Sequence, residues 1–191
     1  MMADREISQE EVDQLIEDAA YLQDEADALQ YVIDSVPYNQ APPGKRSIGE
    51  ILLFIDHAQT DYYRPIFDEA VKSKRPTHLK NFPHFEESFE FDGEIEDIQK
   101  VLRKISKHRA GVVNAIKGIP LIDWETVIYD NDKQILLIRV MQQMVRFDRR
   151  MLKQIASQVM EYSKEKQTQR EIKQRHQRQE HNGEHPTDNP S

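Results

Sequence analysis

The 191-residue chain has no cysteine, six glycines and a single tryptophan. Without cysteine there is no disulfide, no thiolate metal site and no cysteine nucleophile. No apolar run reaches the roughly 18 residues that a membrane-spanning helix needs, and the first residues lack the apolar core of a signal segment. A glycine-rich phosphate loop and a Gly-x-Ser-x-Gly nucleophile turn are both missing. Sustained period-two alternation is missing too, so no large sheet is expected. What remains is a soluble, cytoplasmic, helix-rich chain.

Positive charge is scarce where nucleic acid would need it. The chain carries 26 Lys and Arg against 34 Asp and Glu, a net charge of −8. Residues 163–191 take six of the bases and five of the acids, which leaves 20 and 29 in residues 1–162. The first 34 residues hold eleven acids and one base, Arg5. Phosphate neutralisation requires clustered positive charge, so neither a nucleic-acid partner nor an anionic membrane surface is expected.

Hydrophobic residues are equally uneven. Residues 163–191 contain one large aliphatic side chain, Ile172. The expected organisation is therefore a domain over 1–162 and a polar tail over 163–191, helical at first and then disordered after Asn182-Gly183. A core of that size buries about 70% of the unfolded chain's surface without staples.

Helical spacing recurs four times in the domain. Ser8 and Glu11 form a capping box ahead of Val12, Leu15, Ile16, Ala19, Leu22, Ala26, Leu29 and Ile33, with Pro37 closing the helix. Ser47 and Glu50 repeat the device ahead of Ile48, Ile51, Leu52, Ile55, Ala58 and Tyr62, until Pro65 kinks or breaks the second helix. Residues 72–93 form a long connection whose Phe82, Phe85, Phe89 and Phe91 are expected to pack over one end of the domain. The third helix begins near Glu94 with Ile95, Ile98, Val101, Leu102, Ile105, Val112 and Ile116, and Lys117-Gly118 ends it. Trp124 falls in the next loop. Asn131 or Asp132 is expected to cap a fourth helix with the stripe Ile135, Ile138, Met141, Val145, Leu152, Ile155 and Val159. Four amphipathic helices with these connections make an all-α four-helix bundle.

Seven histidines raise the question of a metal. Helix-borne imidazoles converge on one ion at i, i+3 or i, i+4 spacing, and no pair inside a predicted helix has it. His78 and His84 sit in the long connection, and His57 and His108 stand alone on helices two and three. His176, His181 and His185 lie in the tail, where the last two are four apart but flank Gly183 and Pro186. Asp148 is different, because the fourth-helix stripe puts it on the apolar seam. A buried carboxylate must be paired or hydrogen-bonded, so it meets an Arg or Lys, caps a loop, or lines a pocket.

Two runs carry a resemblance. Ser47-Ile48-Gly49-Glu50-Ile51-Leu52-Leu53-Phe54-Ile55 resembles the second-helix signature of the DinB-like (DNA-damage-inducible) superfamily. Phe147-Asp148-Arg149-Arg150-Met151-Leu152-Lys153-Gln154-Ile155 resembles its fourth-helix signature, usually His-Asp-x-x-His-x-x-Gln-Ile. The likeness covers about residues 8–160. It implies an up-down-down-up bundle, often a homodimer, that holds zinc or nickel through three histidines and activates a low-molecular-weight thiol in transferases and isomerases. In this chain those three positions fall on Phe54, Phe147 and Met151. A phenyl ring has no lone pair to donate, and a thioether is too soft for an ordinary zinc or nickel site.

The resulting expectation is a bundle without cofactor, acting as a binding or structural homodimer. A pocket for a small apolar ligand is expected at Phe54, Phe147 and Met151, bounded also by Trp124, with Asp148 and His57 as nearby polar groups. The alternative is a zinc- or nickel-dependent thiol transferase or isomerase with a site shifted onto His57 and Asp148, or onto a loop histidine.

Overall fold

A computed structural model of the chain describes the backbone of residues 6–183 and the side chains of residues 6–180. The chain divides after Lys153 into two compact units. The first is built on helices α1 (Gln9–Leu29), α2 (Ile48–His57), α3 (Arg64–Lys72), α4 (Phe85–Ser88), α5 (Ile98–Lys117) and the opening turns of α6 (Leu137–Gly183).

Both capping serines act as the sequence predicts. Ser8 Oγ accepts the N–H of Glu11, and Ser47 Oγ accepts that of Glu50. Leu15, Ala19 and Leu22 of α1, Ile51 and Ile55 of α2, Leu102, Ile105 and Val112 of α5, and Met141 and Met144 of α6 are all buried. These are the i, i+3, i+4 faces of each helix turned onto one core.

Cross-helix bonds set the direction of each rod. Gln99 reaches the Gln30 carbonyl while Arg109 reaches that of Ala19, so α1 and α5 are antiparallel. Glu11 meets Arg139 and Asp18 meets Arg149, so α1 and α6 run the same way. Gly49 lies against Ile95 and Asp56 against His108, so α2 and α5 are parallel. The order is up-down-down-up in an all-α four-helix bundle. A Cβ at Gly49 would sit 2.6 Å from Ile95 Cδ1 and 3.2 Å from the Tyr38 carbonyl oxygen, so any larger residue must move the Ile95 tip.

Pro65 neither breaks nor ends the second rod. A π-helical segment, Ala58–Tyr63, joins α2 to α3, and the Arg64 N–H bonds to the Gln59 carbonyl five residues back. Proline then falls in the first turn of α3, where its missing N–H costs little. Helix α1 stops at Leu29, short of Pro37, and Ile33 is buried from a separate 3-10 turn, Ile33–Ser35. Helix α5 starts at Ile98 behind an Asp97 cap, not at Glu94. Ile95 is held before it by the Asn39 amide, which bonds both its N–H and its carbonyl at 3.0 Å.

A small sheet is the main departure from the expected elements. Strand β1 (Thr77–His78) pairs parallel with β2 (Val127–Asp130), which pairs antiparallel with β3 (Lys133–Leu136). Asn131 and Asp132, expected to cap the fourth helix, make the hairpin turn instead, with Asn131 at φ 54°. Ile135, expected on the helical stripe, faces Ile128 across the hairpin, and α6 begins two residues later. Strands of two and four residues are too short to show a periodicity that competes with the helical pattern.

The second unit, from Gln154 onward, is described as the continuation of α6 through Gly183. Every side chain from Ser163 to Glu180 is exposed. Its hydroxyls bond their own helix, Ser163 to the Val159 carbonyl and Thr168 to that of Lys164. The expected disorder past Gly183 and the side chains of His181 and His185 lie outside the described residues.

Candidate functional site

Phe54 on α2 and Phe147 and Met151 on α6 are buried, at 2%, 2% and 8% exposure. Phe147 and Met151 share a helix face because they are four apart. The Phe147 ring meets Phe54 edge-on with centroids 5.2 Å apart. Two of the four phenylalanines of the long connection reach this pair. Phe85, on α4, lies 4.7 Å from Phe147 and 5.4 Å from Phe54, and Phe89 lies 5.0 Å from Phe54. The Arg46 guanidinium covers Phe54 at 3.9 Å. Tilted and edge contacts of this kind are favourable beyond the area they bury.

His57 stands one turn after Phe54. Its Nε2 is 2.8 Å from Ser88 Oγ, its Nδ1 is 3.2 Å from Asp61 Oδ2, and its ring rests 5.5 Å from Phe89. Both ring nitrogens are thus engaged by protein groups. Phenyl rings and a thioether do not fit a divalent zinc or nickel ion, and among the described residues no three His, Asp or Glu side chains are grouped to share one.

Asp148 follows Phe147 in sequence and belongs to a different environment. Its Oδ2 accepts a hydrogen bond from Arg109 Nη1 at 2.7 Å, with Arg109 fully buried and Asp148 4% exposed. The same Nη1 donates to the Ala19 carbonyl, and Arg109 Nε donates to Gln59 Oε1 at 3.0 Å. Gln59 Nε2 donates to Asp56 Oδ1 at 2.8 Å, and that oxygen also contacts His108 Nδ1 at 2.8 Å. A carboxylate only accepts, so His108 carries its proton on Nδ1. The result is a polar chain from the core at Asp148 to the half-exposed His108. Burial pushes the Asp148 carboxyl up from the ordinary carboxylate range, and the Arg109 charge and hydrogen bond pull it back. Arg109 Nη2 is buried and has no hydrogen-bond partner among the described residues.

Arg109, Gln59 and Asp56 are absent from the sequence-level candidates, yet two of them leave a signal. The α5 stripe steps from Ile105 to Val112, and position 109 fills that gap. Gln59 sits four residues after Ile55 on the seam of the second rod. A polar residue on one seam calls for a partner on the facing one, which is how Asp148 and Arg109 meet.

The structure does not bring Trp124 into the aromatic group. It lies in a 3-10 turn, Leu121–Glu125, fully buried against Phe67 at 6.0 Å. His78 stacks on Tyr129 across β1 and β2. His84 caps α4 through its Nδ1 and stacks on Phe85 at 4.3 Å. His176 is exposed on α6.

No family model matches the chain. No curated protein matches it in sequence either. Among solved structures, it is similar to YfiT from Bacillus subtilis, described as a probable metal-dependent hydrolase with an unusual four-helix bundle topology. The TM-score is 0.65 at 12% identity, over 85% of this chain and 94% of that one. Among the described residues, no helix is long and apolar enough to cross a membrane. The fold of this chain is thus a helical bundle of the YfiT kind.

Proposed function

We propose that this chain is a binding or structural module that works as a cytoplasmic homodimer and holds no metal where its resemblance places three histidines. The observation behind this reading is the packing at those positions. Phe54, Phe147 and Met151 are buried, and Phe85 lies against both phenylalanine rings. Aromatic rings thus lie where a hydrated metal would need donors and an open coordination position. The expected small apolar ligand would have to displace Phe85 or Phe89 to reach Phe54.

The competing reading is a zinc- or nickel-dependent enzyme with a shifted site, and the likeness to YfiT is its support. It requires His57 to give up Ser88 or Asp61, and Asp148 to leave Arg109. Elemental analysis of dialysed, tag-free protein, with zinc and nickel titrations, separates the two. The module reading predicts far less than one metal per chain and no stoichiometric binding. Metal near one per chain that His57→Ala removes would overturn the metal-free reading and place a site at His57. Sedimentation equilibrium tests the homodimer, which a monomer at every concentration would rule out.

A further inference from the structure

One concave surface on this acidic chain is cationic. A cavity of about 460 Å³ opens beside Phe85, between α4, the end of the π-helical segment and α6. That size suits a small molecule. Gln143, Arg146 and Arg150 line it from α6 at i, i+3 and i+7, so their side chains share one helix face. Arg149 also reaches it, but its guanidinium is held by Asp18 at 2.7 Å. Neither Arg146 nor Arg150 has an ion pair or hydrogen bond among the described residues.

Tyr63 lines the same cavity, is 4% exposed, and makes no hydrogen bond among the described residues. Burial pushes its phenol well above the ordinary range, with the charges of Tyr62 and Asp148 adding to that and Arg146 and Arg150 opposing it. It therefore keeps its O–H and stays a donor. His84 contributes one more. Its Nδ1 accepts the Glu86 N–H at 3.3 Å, so in the neutral ring the proton sits on Nε2. The Glu86 carboxylate lines the cavity too, and is the acid set against these cations.

We infer that this cavity binds a small organic phosphate monoester, its phosphate between Arg146 and Arg150 and its apolar body against the half-buried His84 ring, which stacks on Phe85. Two unpaired guanidiniums, a phenol, an imidazole N–H and the Gln143 amide supply more donors than one carboxylate accepts. A dianionic tetrahedral phosphate has the oxygens and the charge to take them. None of these residues is at a position the resemblance assigns to metal, so the inference stands apart from the metal-free reading.

The test is calorimetric titration of the full chain at low salt with phenyl phosphate, inorganic phosphate and benzoate. Phenyl phosphate should bind one per chain, saturably. Inorganic phosphate should bind more weakly for want of the His84 ring contact, and benzoate more weakly for want of charge. Arg146→Ala/Arg150→Ala, both exposed positions, should keep the melting temperature and lose at least about tenfold in affinity, the scale of charge-assisted hydrogen bonds. Tyr63→Phe should weaken binding severalfold and leave the helical signal intact. No saturable phenyl phosphate binding, or unchanged affinity in the double variant, would overturn the site. Equal affinity for inorganic phosphate would overturn the organic ligand, and tighter benzoate the phosphate.

Discussion

Phe147 and Asp148 are adjacent in the chain and lie in opposite kinds of core. Phe147 enters a cluster of rings from α2, α4 and α6 that presents no ligand for a hard or borderline metal. Asp148 enters a polar chain in which Arg109 ties α6 to α5, to α1 through the Ala19 carbonyl, and to the second rod through Gln59. A ring cluster tolerates exchange of one apolar group for another of similar volume. A buried polar network does not, because each member that loses its partner keeps the full cost of its own desolvation. The two cores therefore differ in tolerance: the ring positions can repack, and the carboxyl is bound into a network.

The largest effect should come from the network. Arg109→Met removes the donor to Asp148, Gln59 and the Ala19 carbonyl at once, and should cost about 3–5 kcal/mol in urea unfolding. A loss below about 1 kcal/mol would erase the contrast between the two cores. Phe147→Ala should cost about 3 kcal/mol, at the low end for a buried phenylalanine because Phe54 and Phe85 can close the space, while Phe147→Leu should cost under about 1.5.

A triple histidine substitution sharpens the comparison from the other side. Phe54→His/Phe147→His/Met151→His should unfold more easily without metal, and zinc at a hundredfold over its Kd should return about 2.7 kcal/mol. No zinc-dependent rise in melting temperature would mean that these positions do not converge on one ion.

Acidity should grade the network. Arg109 lowers the Asp148 carboxyl that burial raises, so Arg109→Met leaves burial alone. A raised native value stabilises the fold below the ordinary aspartate range, and that stability is lost as pH climbs through the native value. The deficit of Arg109→Met relative to the parent should therefore narrow on acidification and widen towards neutrality. The smallest effect is at the half-exposed end, where His108→Ala, which frees Asp56 of one partner, should cost about 1 kcal/mol.

Much of the bundle is legible in single residues. Ser8 and Ser47 mark helix starts because each side chain satisfies an N–H of the first turn. Asp148 announces a buried pair because a carboxylate on an apolar seam cannot stand alone. The strands are not legible: Thr77-His78 acquires its pairing from Ile128 and Tyr129, some fifty residues on. The π-helical segment before Pro65 is likewise hidden, since helical periodicity looks the same on either side of one extra residue.

The sequence by itself determined four amphipathic faces, the capped starts at Ser8 and Ser47, a polar tail and the apolar chemistry of positions 54, 147 and 151, because each depends on residue type and local spacing. Tertiary structure alone decided that Phe85 packs on Phe54 and Phe147 and Phe89 on Phe54, that Arg109 is the counter-ion of Asp148, and that Arg146, Arg150, Tyr63 and His84 face one cavity. Those juxtapositions join residues from separate elements, and only packing the bundle brings them within reach.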